Sequence, residues 1–315
     1  MHIYKFLLVL ILLCSCGGGS SSSGIENNTQ IIQSTNSTEE CINTQVANLK
    51  RCDLVHDNID RFYYLYKPSN LDTNSSVAVL FALHGYGSSA MTHFNYTNYE
   101  PIANENNFIV VYPQGTTNNG LNTHWNNGGW TSKSTAKDIE FIDSVIDYIK
   151  NKIAIDETRI YSSGMSNGGY MSYHLACNLD NTFAAVVSVT GSMTNDTFDN
   201  CAPSHPIAAM QIHGVQDLTV PYLGSGWSKS IDDVIDYWVS YNSCNTEPER
   251  VIKYSNQTDL INFDTYGSCI NNVNVKLILH SGMGHNWPFI QNYNIDASQE
   301  VWDFVSKYDI NGLRN

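Results

Sequence analysis

Basic residues and long apolar runs are both scarce in this sequence of 315 residues. Only 16 Lys and Arg side chains stand against 30 Asp and Glu, which gives a formal net charge of −14. Because so acidic a chain is repelled by phosphate backbones, no nucleic-acid partner is expected. No apolar run reaches the length of about 18 residues that a membrane-spanning helix requires. Apolar residues still make up 42% of the chain, enough for the core of a folded domain.

Cysteine pairs with metal-binding spacing are also lacking, because Cys-x-x-Cys occurs nowhere. We therefore expect no metal, and nothing in the sequence indicates another cofactor. An even number of cysteines in an exported chain predicts disulfides instead. The candidates are Cys41, Cys52, Cys177, Cys201, Cys244 and Cys269. Sequential pairing is the simplest hypothesis, with the first bond holding the N-terminal segment and the other two tying loops near the functional face.

The N-terminus has the pattern of an export signal. Lys5 precedes an unbroken apolar run over residues 6–13, which is too short to remain in a bilayer. The following Leu-Cys-Ser-Cys resembles a bacterial lipobox, which implies removal of residues 1–15 and lipidation of Cys16. Residues 16–40, rich in Ser, Asn and Thr, predict a flexible tether. We expect a secreted lipoprotein of the bacterial outer membrane or cell surface, held to the membrane only by this lipid anchor; an ordinary secretory signal is the alternative.

Residues 41–315 predict one folded domain, since no linker or internal repeat divides them. Continuous apolar stretches predict strands that are buried on both faces of a mostly parallel sheet. These stretches are residues 61–66, 77–83, 108–112, 160–164, 184–189, 207–212 and 275–279. Helical periodicity follows over residues 138–150, 167–179, 231–241 and 297–307. The alternation predicts an α/β fold, a doubly wound sheet with helices on both faces, and residues 250–266 predict an additional hairpin.

A candidate nucleophile lies at residues 164–168, which read Gly-Met-Ser-Asn-Gly between a predicted strand and a predicted helix. A serine nucleophile stands on a sharp strand-to-helix turn, where only small residues fit on either side. The amides and dipole of the following helix then stabilise negative charge on the reacting carbonyl. The pattern therefore predicts Ser166 as the nucleophile, and a chance match in a loop is the alternative.

The acid and the base are expected later in the chain, in the order Asp then His. Asp217 follows the predicted strand that ends at Ile212, and His285 follows the strand that ends near Leu279. Both positions are just beyond the carboxyl ends of strands, where α/β sheets place their ligands. Three other histidines follow strands as well and are expected to make structural hydrogen bonds: His84, His213 and His280.

The oxyanion hole is expected next to this serine. Leu-His-Gly-Tyr-Gly at residues 83–87 follows the second apolar strand, where a loop that supplies a backbone donor belongs. We predict the N–H groups of Tyr86 and Asn167 as the pair of donors. A plain tight turn is the alternative interpretation of the loop.

Tryptophans in predicted loops are candidates for binding the substrate, because aromatic rings bury a large area and stack on planar or aliphatic groups. These are Trp125, Trp130, Trp227 and Trp287. Trp287 is expected to be the principal pocket residue because it lies two positions from His285. Packing beneath a loop is the alternative for each of them.

Five stretches together resemble one group of the α/β-hydrolase fold, the secreted polyhydroxybutyrate depolymerases and feruloyl/acetylxylan esterases. They are residues 83–87, 111–115, 161–177, 213–222 and 284–288. The resemblance implies the α/β-hydrolase fold, ester hydrolysis without a cofactor, and the same Ser166, Asp217 and His285. The separate polymer-binding domain of many such depolymerases is not expected, since only 30 residues follow His285.

The leading hypothesis is an extracellular serine carboxylester hydrolase that forms an acyl-enzyme. Its expected substrates are esters of a polyester, an oligoester or a feruloylated polysaccharide, and it is expected to be a monomer. A serine peptidase on the same fold is one alternative. The other is a non-catalytic surface lipoprotein that uses the fold for binding.

Overall fold

The central sheet keeps its parallel strands in the middle and its antiparallel strands at the edges. The computed structural model describes residues 39–72, 74–118 and 122–314. Its strands are β1 (Glu40–Asn43), β2 (Leu49–His56), β3 (Ile59–Tyr66), β4 (Val77–Leu83), β5 (Phe108–Pro113), β6 (Thr116–Asn118), β7 (Asn122–His124), β8 (Ile155–Met165), β9 (Ala185–Val189), β10 (Ala208–Gly214), β11 (Glu249–Tyr254), β12 (Leu260–Tyr266), β13 (Val275–His280), β14 (Tyr308–Asp309) and β15 (Gly312–Leu313). Among the described residues, eleven strands form the sheet in the order β1-β2-β3-β5-β4-β8-β9-β10-β13-β12-β11. The strands from β5 to β13 are mutually parallel, and the strands outside them are antiparallel.

Helices cover both faces of this sheet. They are α1 (Ala90–Thr97), α2 (Glu100–Asn106), α3 (Asp138–Lys150), α4 (Asn167–Asn178), α5 (Asn195–Asn200), α6 (Ile231–Tyr241), α7 (Ile290–Tyr293) and α8 (Ala297–Val305), with short 3₁₀ turns at Gly129–Thr131 and Ile270–Asn272. One apolar core joins the sheet to α1, α2 and α8, and a second core joins it to α3, α4 and α6. The doubly wound α/β architecture predicted from the sequence is confirmed.

Strand β4 shows why the central strands are mostly apolar. Val79 and Phe81 belong to the core on one face of the sheet, whereas Leu80 and Ala82 belong to the core on the other. Successive side chains of a strand point to opposite faces, so a strand covered on both faces has no position that faces solvent. At the edge of the sheet the constraint disappears, and every residue of β11 is exposed.

The long amphipathic helices begin and end where the sequence predicts. Helices α3 and α6 have the predicted bounds. Ser230 accepts a hydrogen bond from the Asp233 N–H, and the Asp233 carboxylate accepts one from the Ser230 N–H, so a capping box starts α6. The predicted hairpin is also present as β11 and β12. The sequence analysis did not identify β1, β2, α1, α2 or the β6–β7 hairpin.

Three disulfides join consecutive cysteines, which is the predicted pairing: Cys41–Cys52, Cys177–Cys201 and Cys244–Cys269. The first links β1 to β2, as expected for the N-terminal segment. Such bonds indicate folding in an oxidising compartment. Glu39 lies near Cys41 and Cys52, but the disulfide leaves no thiolate there for a metal.

The expected placement of the other two disulfides near the functional face is wrong. Cys177 lies in the last turn of α4, whose first residue follows the candidate nucleophile. Because this helix connects two parallel strands, it runs back toward their N-terminal ends. Cys244 lies close to Asn242, whose side chain bonds the backbone of Ile207 just before β10. Both disulfides therefore lie beside the amino-terminal ends of the parallel strands, opposite the carboxyl ends.

Several N-terminal expectations lie outside the described residues. These are the signal peptide at residues 1–15, the lipidated Cys16 and nearly all of the tether at residues 16–40. In the part of the chain that the structure describes, no helix combines the length and hydropathy needed to cross a bilayer.

Candidate active site

Ser166 occupies a strained turn between β8 and α4. Its backbone has φ 54° and ψ −119°, a conformation that L residues other than glycine rarely adopt. The turn is compressed from both sides. A Cβ on Gly168 would lie 2.1 Å from the Leu83 carbonyl oxygen, and one on Gly164 would lie 2.3 Å from the backbone of Gly168. The small residues of the Gly-x-Ser-x-Gly pattern are therefore required by backbone contacts.

The turn places Ser166 at the start of α4. Its N–H donates to the Val189 carbonyl across the neighbouring β9 at 2.8 Å, and its carbonyl accepts from the Tyr170 N–H at 3.0 Å. The side chain stays half-buried. Unpaired amides at the first turn of a helix, together with its dipole, favour negative charge at this position. The arrangement suits an oxygen nucleophile that attacks a carbonyl.

Asp217 and His285 are joined by a hydrogen bond. His285 Nδ1 donates to Asp217 Oδ2 at 2.8 Å, so the other ring nitrogen, Nε2, is free to accept a proton. The Asp217 side chain is fully buried and the His285 side chain is 21% exposed. The Asp217 Oδ1 atom accepts from the N–H groups of Thr219 and Val220 at 2.9 and 2.8 Å. The carboxylate is thus held in one orientation, with one oxygen reserved for the histidine.

Burial alone would raise the pKa of Asp217. The hydrogen bonds from His285 and the Val220 N–H, with the nearby imidazoles, outweigh burial and lower the pKa of Asp217 below its usual value. Asp217 is therefore an anion at neutral pH. An anion in this position orients the His285 ring and stabilises a positive charge on it.

Backbone hydrogen bonds tie the acid loop to the base loop. The Gln216 N–H donates to the Met283 carbonyl at 3.0 Å, and the Val215 N–H donates to the His280 carbonyl at 3.0 Å. Gly214 makes this approach possible, because a Cβ there would lie 2.0 Å from the Met283 carbonyl oxygen. Asp217 and His285 follow the adjacent parallel strands β10 and β13. The pairing of these two strands therefore fixes the position of Asp217 relative to His285.

The loop after β4 reaches Ser166 through its glycine. A Cβ on Gly85 would lie 3.5 Å from Ser166 Cβ, so the loop contacts the turn directly. His84 is buried beneath the loop, and its Nε2 accepts the Gly115 N–H at 2.9 Å. Its Nδ1 must therefore carry the proton, which it donates to the Gly85 carbonyl at 2.8 Å. This bond turns the Gly85–Tyr86 peptide so that its N–H points away from His84.

Asn167, the second predicted donor, is held through its side chain. Its Oδ1 accepts the Trp125 N–H at 2.6 Å, and its Nδ2 donates to the Trp125 carbonyl at 3.1 Å. The Asn127 side chain donates to the Asn167 carbonyl at 3.2 Å. Sequence reasoning missed this clamp, although the Trp-Asn-Asn-Gly-Gly segment that begins at Trp125 was a visible signal for it.

The other candidate histidines have structural hydrogen bonds, as expected. Burial lowers the pKa of both His84 and His213 to about 4, so both are neutral. His213 Nε2 donates to the Val220 carbonyl at 2.9 Å, and its Nδ1 accepts from Gln211. The buried His280 accepts the Gly282 N–H through Nδ1 at 3.0 Å. His285 is the histidine of the four that bonds a carboxylate.

Two of the four tryptophans are misassigned by the sequence analysis. Trp125 is fully buried, and its Nε1 donates to the His84 carbonyl at 2.9 Å, so the ring supports the loop after β4. Trp287 is 3% exposed and packs edge-on against His93, Tyr96 and Tyr99. Neither ring offers a surface to a substrate in this structure. Both were proposed because they lie in predicted loops, and a place in a loop does not determine which way a ring turns.

The other two tryptophans lie at the surface in a row of four aromatic rings, which we call the aromatic strip. The strip runs from Tyr86 to Trp130 at 5.1 Å, on to Trp227 at 5.8 Å and then to Tyr170 at 5.8 Å between ring centroids. Tyr86 and Trp130 are 45% and 37% exposed, whereas Trp227 is half-buried and Tyr170 is buried. Tyr86 and Trp130 are therefore the rings of the strip that lie open to a substrate.

Fold and site together define a class. A mostly parallel doubly wound sheet, a serine on a strained strand-to-helix turn, and an Asp–His pair beyond two later strands are the features of the α/β-hydrolase fold. The comparisons with known proteins agree. The prolyl oligopeptidase family model, which covers part of the chain, matches residues 92–217.

Curated proteins that are similar to this chain include acetylxylan and feruloyl esterases. A bifunctional acetylxylan esterase/xylanase of Neocallimastix patriciarum is 28% identical over 80% of this chain and 34% of the relative. A probable feruloyl esterase C of Aspergillus flavus is 31% identical over 54% of this chain and 60% of the relative. The chain thus spans about a third of the first relative and less than two thirds of the second. The expected resemblance to feruloyl and acetylxylan esterases is confirmed.

Solved structures give the same fold. An acetyl xylan esterase from Aspergillus awamori superposes with a TM-score of 0.54 at 15% identity, covering 83% of this chain and 99% of that one. A feruloyl esterase module from Clostridium thermocellum superposes with a TM-score of 0.56 at 13% identity, covering 81% and 88%. The chain has the α/β-hydrolase fold, as the sequence predicted.

Proposed function

We propose that this protein is a serine carboxylester hydrolase. The observation that carries the proposal is the Asp217–His285 hydrogen bond, made at the sheet edge where Ser166 stands on its strained turn. A non-catalytic binding protein has no need to hold a buried carboxylate against a partly exposed histidine. Nor does it need a serine with a strained backbone.

The proposed reaction assigns a role to each of these three residues. Ser166 Oγ attacks the ester carbonyl while His285 Nε2 takes its proton, and Asp217 stabilises the imidazolium. The Tyr86 and Asn167 N–H groups donate to the oxyanion. Collapse of the tetrahedral intermediate breaks the bond to the alcohol, which leaves with the proton from His285. Water, deprotonated by the same histidine, then releases the acid and restores Ser166.

The relatives favour acyl groups on a polysaccharide as the substrate. Two of them are an acetylxylan esterase/xylanase and a probable feruloyl esterase, and the aromatic strip offers rings on which a hydroxycinnamoyl group can stack. A polyester or oligoester is the second candidate. It is favoured by Leu218 and Leu223, which are 93% and 83% exposed in the loop that carries Asp217. Such an apolar rim suits an aliphatic polymer surface.

The test compares four substrates under one set of conditions. Methyl ferulate, acetylated xylan, p-nitrophenyl butyrate and a hydroxybutyrate oligomer film are offered to the protein and to Ser166→Ala. Release of ferulate or acetate that disappears in the variant supports a polysaccharide esterase, whereas film clearing alone supports the polyester. A fluorophosphonate probe that fails to label Ser166 would reject the enzyme and favour the binding protein.

The peptidase alternative arises from the matched family model, whose description names prolyl oligopeptidases. An amide leaving group needs the same proton from His285, so the site alone does not discriminate between the two bonds. Prolyl p-nitroanilide peptides supply the test. Cleavage at a rate comparable to that of p-nitrophenyl butyrate would replace the esterase proposal.

The N-terminal organisation is part of the proposal: a signal at residues 1–15, a lipid anchor at Cys16, a tether at residues 16–40 and a catalytic domain at residues 41–315. The lipobox-like sequence supports the anchor and a location on a bacterial outer membrane or cell surface. Two or more acyl chains would give stable anchoring. Cells expressing Cys16→Ser should release the protein from the membrane fraction, and unchanged fractionation would reject the anchor. We propose a monomer, which sedimentation of the released form tests.

A further inference from the structure

A cavity of about 650 Å³ lies beside β3, close to the candidate active site but separate from it. Its walls come from β3, from the segment that links β5 to β6, and from the loop before α3. Ser166, Asp217 and His285 are not among its lining residues. The volume falls within the range of about 300–1,000 Å³ that is usual for small-molecule sites. The mechanism proposed above makes no use of this space.

The lining of the cavity is rich in hydroxyl groups. Thr116, Thr117 and Thr135 each present a group that can donate and accept a hydrogen bond. Lys133 and Asp60 add opposite charges, and neither has an ion-pair partner among the residues that the structure describes. The lining therefore favours a ligand with several hydroxyls and no net charge. A polyanion is further disfavoured by the net charge of −14.

Arg61 shapes the wall of the same cavity. It is 3% exposed, and its Nη2 donates to Asp138 at 2.7 Å and to the Gln114 carbonyl at 3.1 Å. Its guanidinium also lies 3.7 Å from the centre of the Phe141 ring. Because these contacts enclose the guanidinium, the hydrogen bonds of a ligand in the cavity fall to the threonine hydroxyls.

A second cavity shares a wall residue with this space and borders the loop after β4. It has a volume of about 450 Å³ and is lined by Tyr86, Ser89 and Thr92 among others. Thr123 lines both cavities, and its carbonyl accepts the Gly87 N–H at 2.7 Å. The two cavities are therefore neighbours, and the second borders the loop that touches Ser166. This arrangement suits a chain that carries its ester to Ser166 and extends past Tyr86 and Thr123.

We propose that the cavity beside β3 binds a neutral sugar chain that carries the scissile ester. The inference rests on the proposed esterase function, because it assigns the sugar part of that substrate to a place of its own. The acyl group would occupy the neighbourhood of Ser166 and the aromatic strip. The unsubstituted sugars would make hydrogen bonds with the threonine hydroxyls.

Binding without catalysis is the direct test. The full chain carrying Ser166→Ala is titrated calorimetrically with xylohexaose, a neutral oligosaccharide with no ester. Thr135→Trp, an exposed position on the cavity wall, is added to block the space, and Thr246→Trp, an exposed threonine before β11, is the matched control. We expect Thr135→Trp to weaken binding about tenfold or more and Thr246→Trp to leave it unchanged. No binding by Ser166→Ala, equal binding by both tryptophan variants, or displacement of the sugar by inorganic phosphate would overturn the proposal.

Kinetics separate this proposal from the proposed function. With an acylated xylo-oligosaccharide, Thr135→Trp should raise KM about tenfold, while p-nitrophenyl acetate, which has no sugar, should be hydrolysed at the rate of the unmodified protein. Thr117→Val, which keeps the shape of the wall but removes a hydroxyl, should raise the same KM about threefold. Failure of the unmodified protein to hydrolyse p-nitrophenyl acetate would reject the esterase and leave the sugar-binding result standing. An unchanged KM in Thr135→Trp would reject the sugar site and leave the esterase standing.

Discussion

The two ends of the parallel strands are built for different purposes. At the carboxyl ends, Ser166 has a strained backbone, which costs stability, and Asp217 is a buried anion whose hydrogen bonds outweigh the cost of its burial. At the opposite edge, two disulfides tie the ends of α4 and α6 to neighbouring segments. The contrast indicates that one edge supplies chemistry and the other supplies stability. Substitutions at the carboxyl ends of the strands should therefore lower activity more than stability. Substitutions at the opposite ends should lower the free energy of unfolding more than activity.

The largest effect is expected at Ser166. Replacing it with alanine removes the nucleophile and should lower kcat/KM for p-nitrophenyl butyrate about 10⁴-fold or more. The hydroxyl makes no contact on which the fold depends, so the free energy of unfolding should change by less than about 0.5 kcal/mol. Activity and urea unfolding are measured on the same preparation. A large loss of stability would contradict this division of roles, because the serine would then have a structural function.

Asp217→Asn should lower kcat about 10³–10⁴-fold, since an amide can no longer hold the Nδ1–H tautomer of His285. Both backbone donors to the carboxylate can still bond the amide oxygen, so the loop should keep its shape. The matched control is Asp236→Asn, an exposed residue of α6, which should leave kcat unchanged. Equal effects of the two substitutions would remove Asp217 from the site.

The opposite edge is tested with Cys177→Ser/Cys201→Ser. Loss of this crosslink should lower the free energy of unfolding by about 2–4 kcal/mol. The bond lies at the far end of α4 from Ser166, so kcat at 25 °C should stay within about twofold of that of the unmodified protein. Urea unfolding and esterase kinetics together give the answer. A drop in kcat without loss of stability would show that the two edges are coupled through α4.

As the pH falls, the protein should lose stability before Asp217 is protonated. Burial lowers the pKa of His84 and His213 to about 4, whereas both titrate near 6.5 when unfolded. Between these values the unfolded chain binds protons that the native chain does not, so stability falls as the pH falls from about 6.5 to 4. Asp217, with a lowered pKa, loses its contribution only below about 3.8. The urea midpoint as a function of pH measures this, and His213→Gln should flatten the curve between pH 6.5 and 4.

Sequence periodicity predicted the elements whose burial is simple. Strand β4 is covered on both faces and α6 on one, so their patterns are clear. Strand β2 was missed because it lies near the edge of the sheet, where buried and exposed positions alternate irregularly. The β6–β7 hairpin was missed because its two short strands are polar.

The candidate site was predictable as far as its chemistry follows from local motifs. Ser166, Asp217 and His285 each follow a recognisable strand, and the fold brings those strand ends to one edge. The contacts that hold the loops are not local. His84 bonds Gly115, which is 31 positions away in the sequence. Periodicity carries no information about such pairs, and for the same reason it did not separate buried from exposed tryptophans.

The smallest effect should come from the aromatic strip. It separates binding of the acyl group from catalysis, both of which we place at the carboxyl ends of the strands. Trp130→Ala removes an exposed ring that no core residue depends on, so stability should change by less than about 0.5 kcal/mol. If hydroxycinnamoyl groups stack there, KM for methyl ferulate should rise about three- to tenfold while KM for p-nitrophenyl acetate stays the same. Trp125→Phe is the comparison, because it removes the buried Nε1 donor to the His84 carbonyl and should lower kcat for both substrates. A rise in both KM values with Trp130→Ala would mean that the ring shapes the loop at Ser166 and does not bind the acyl group.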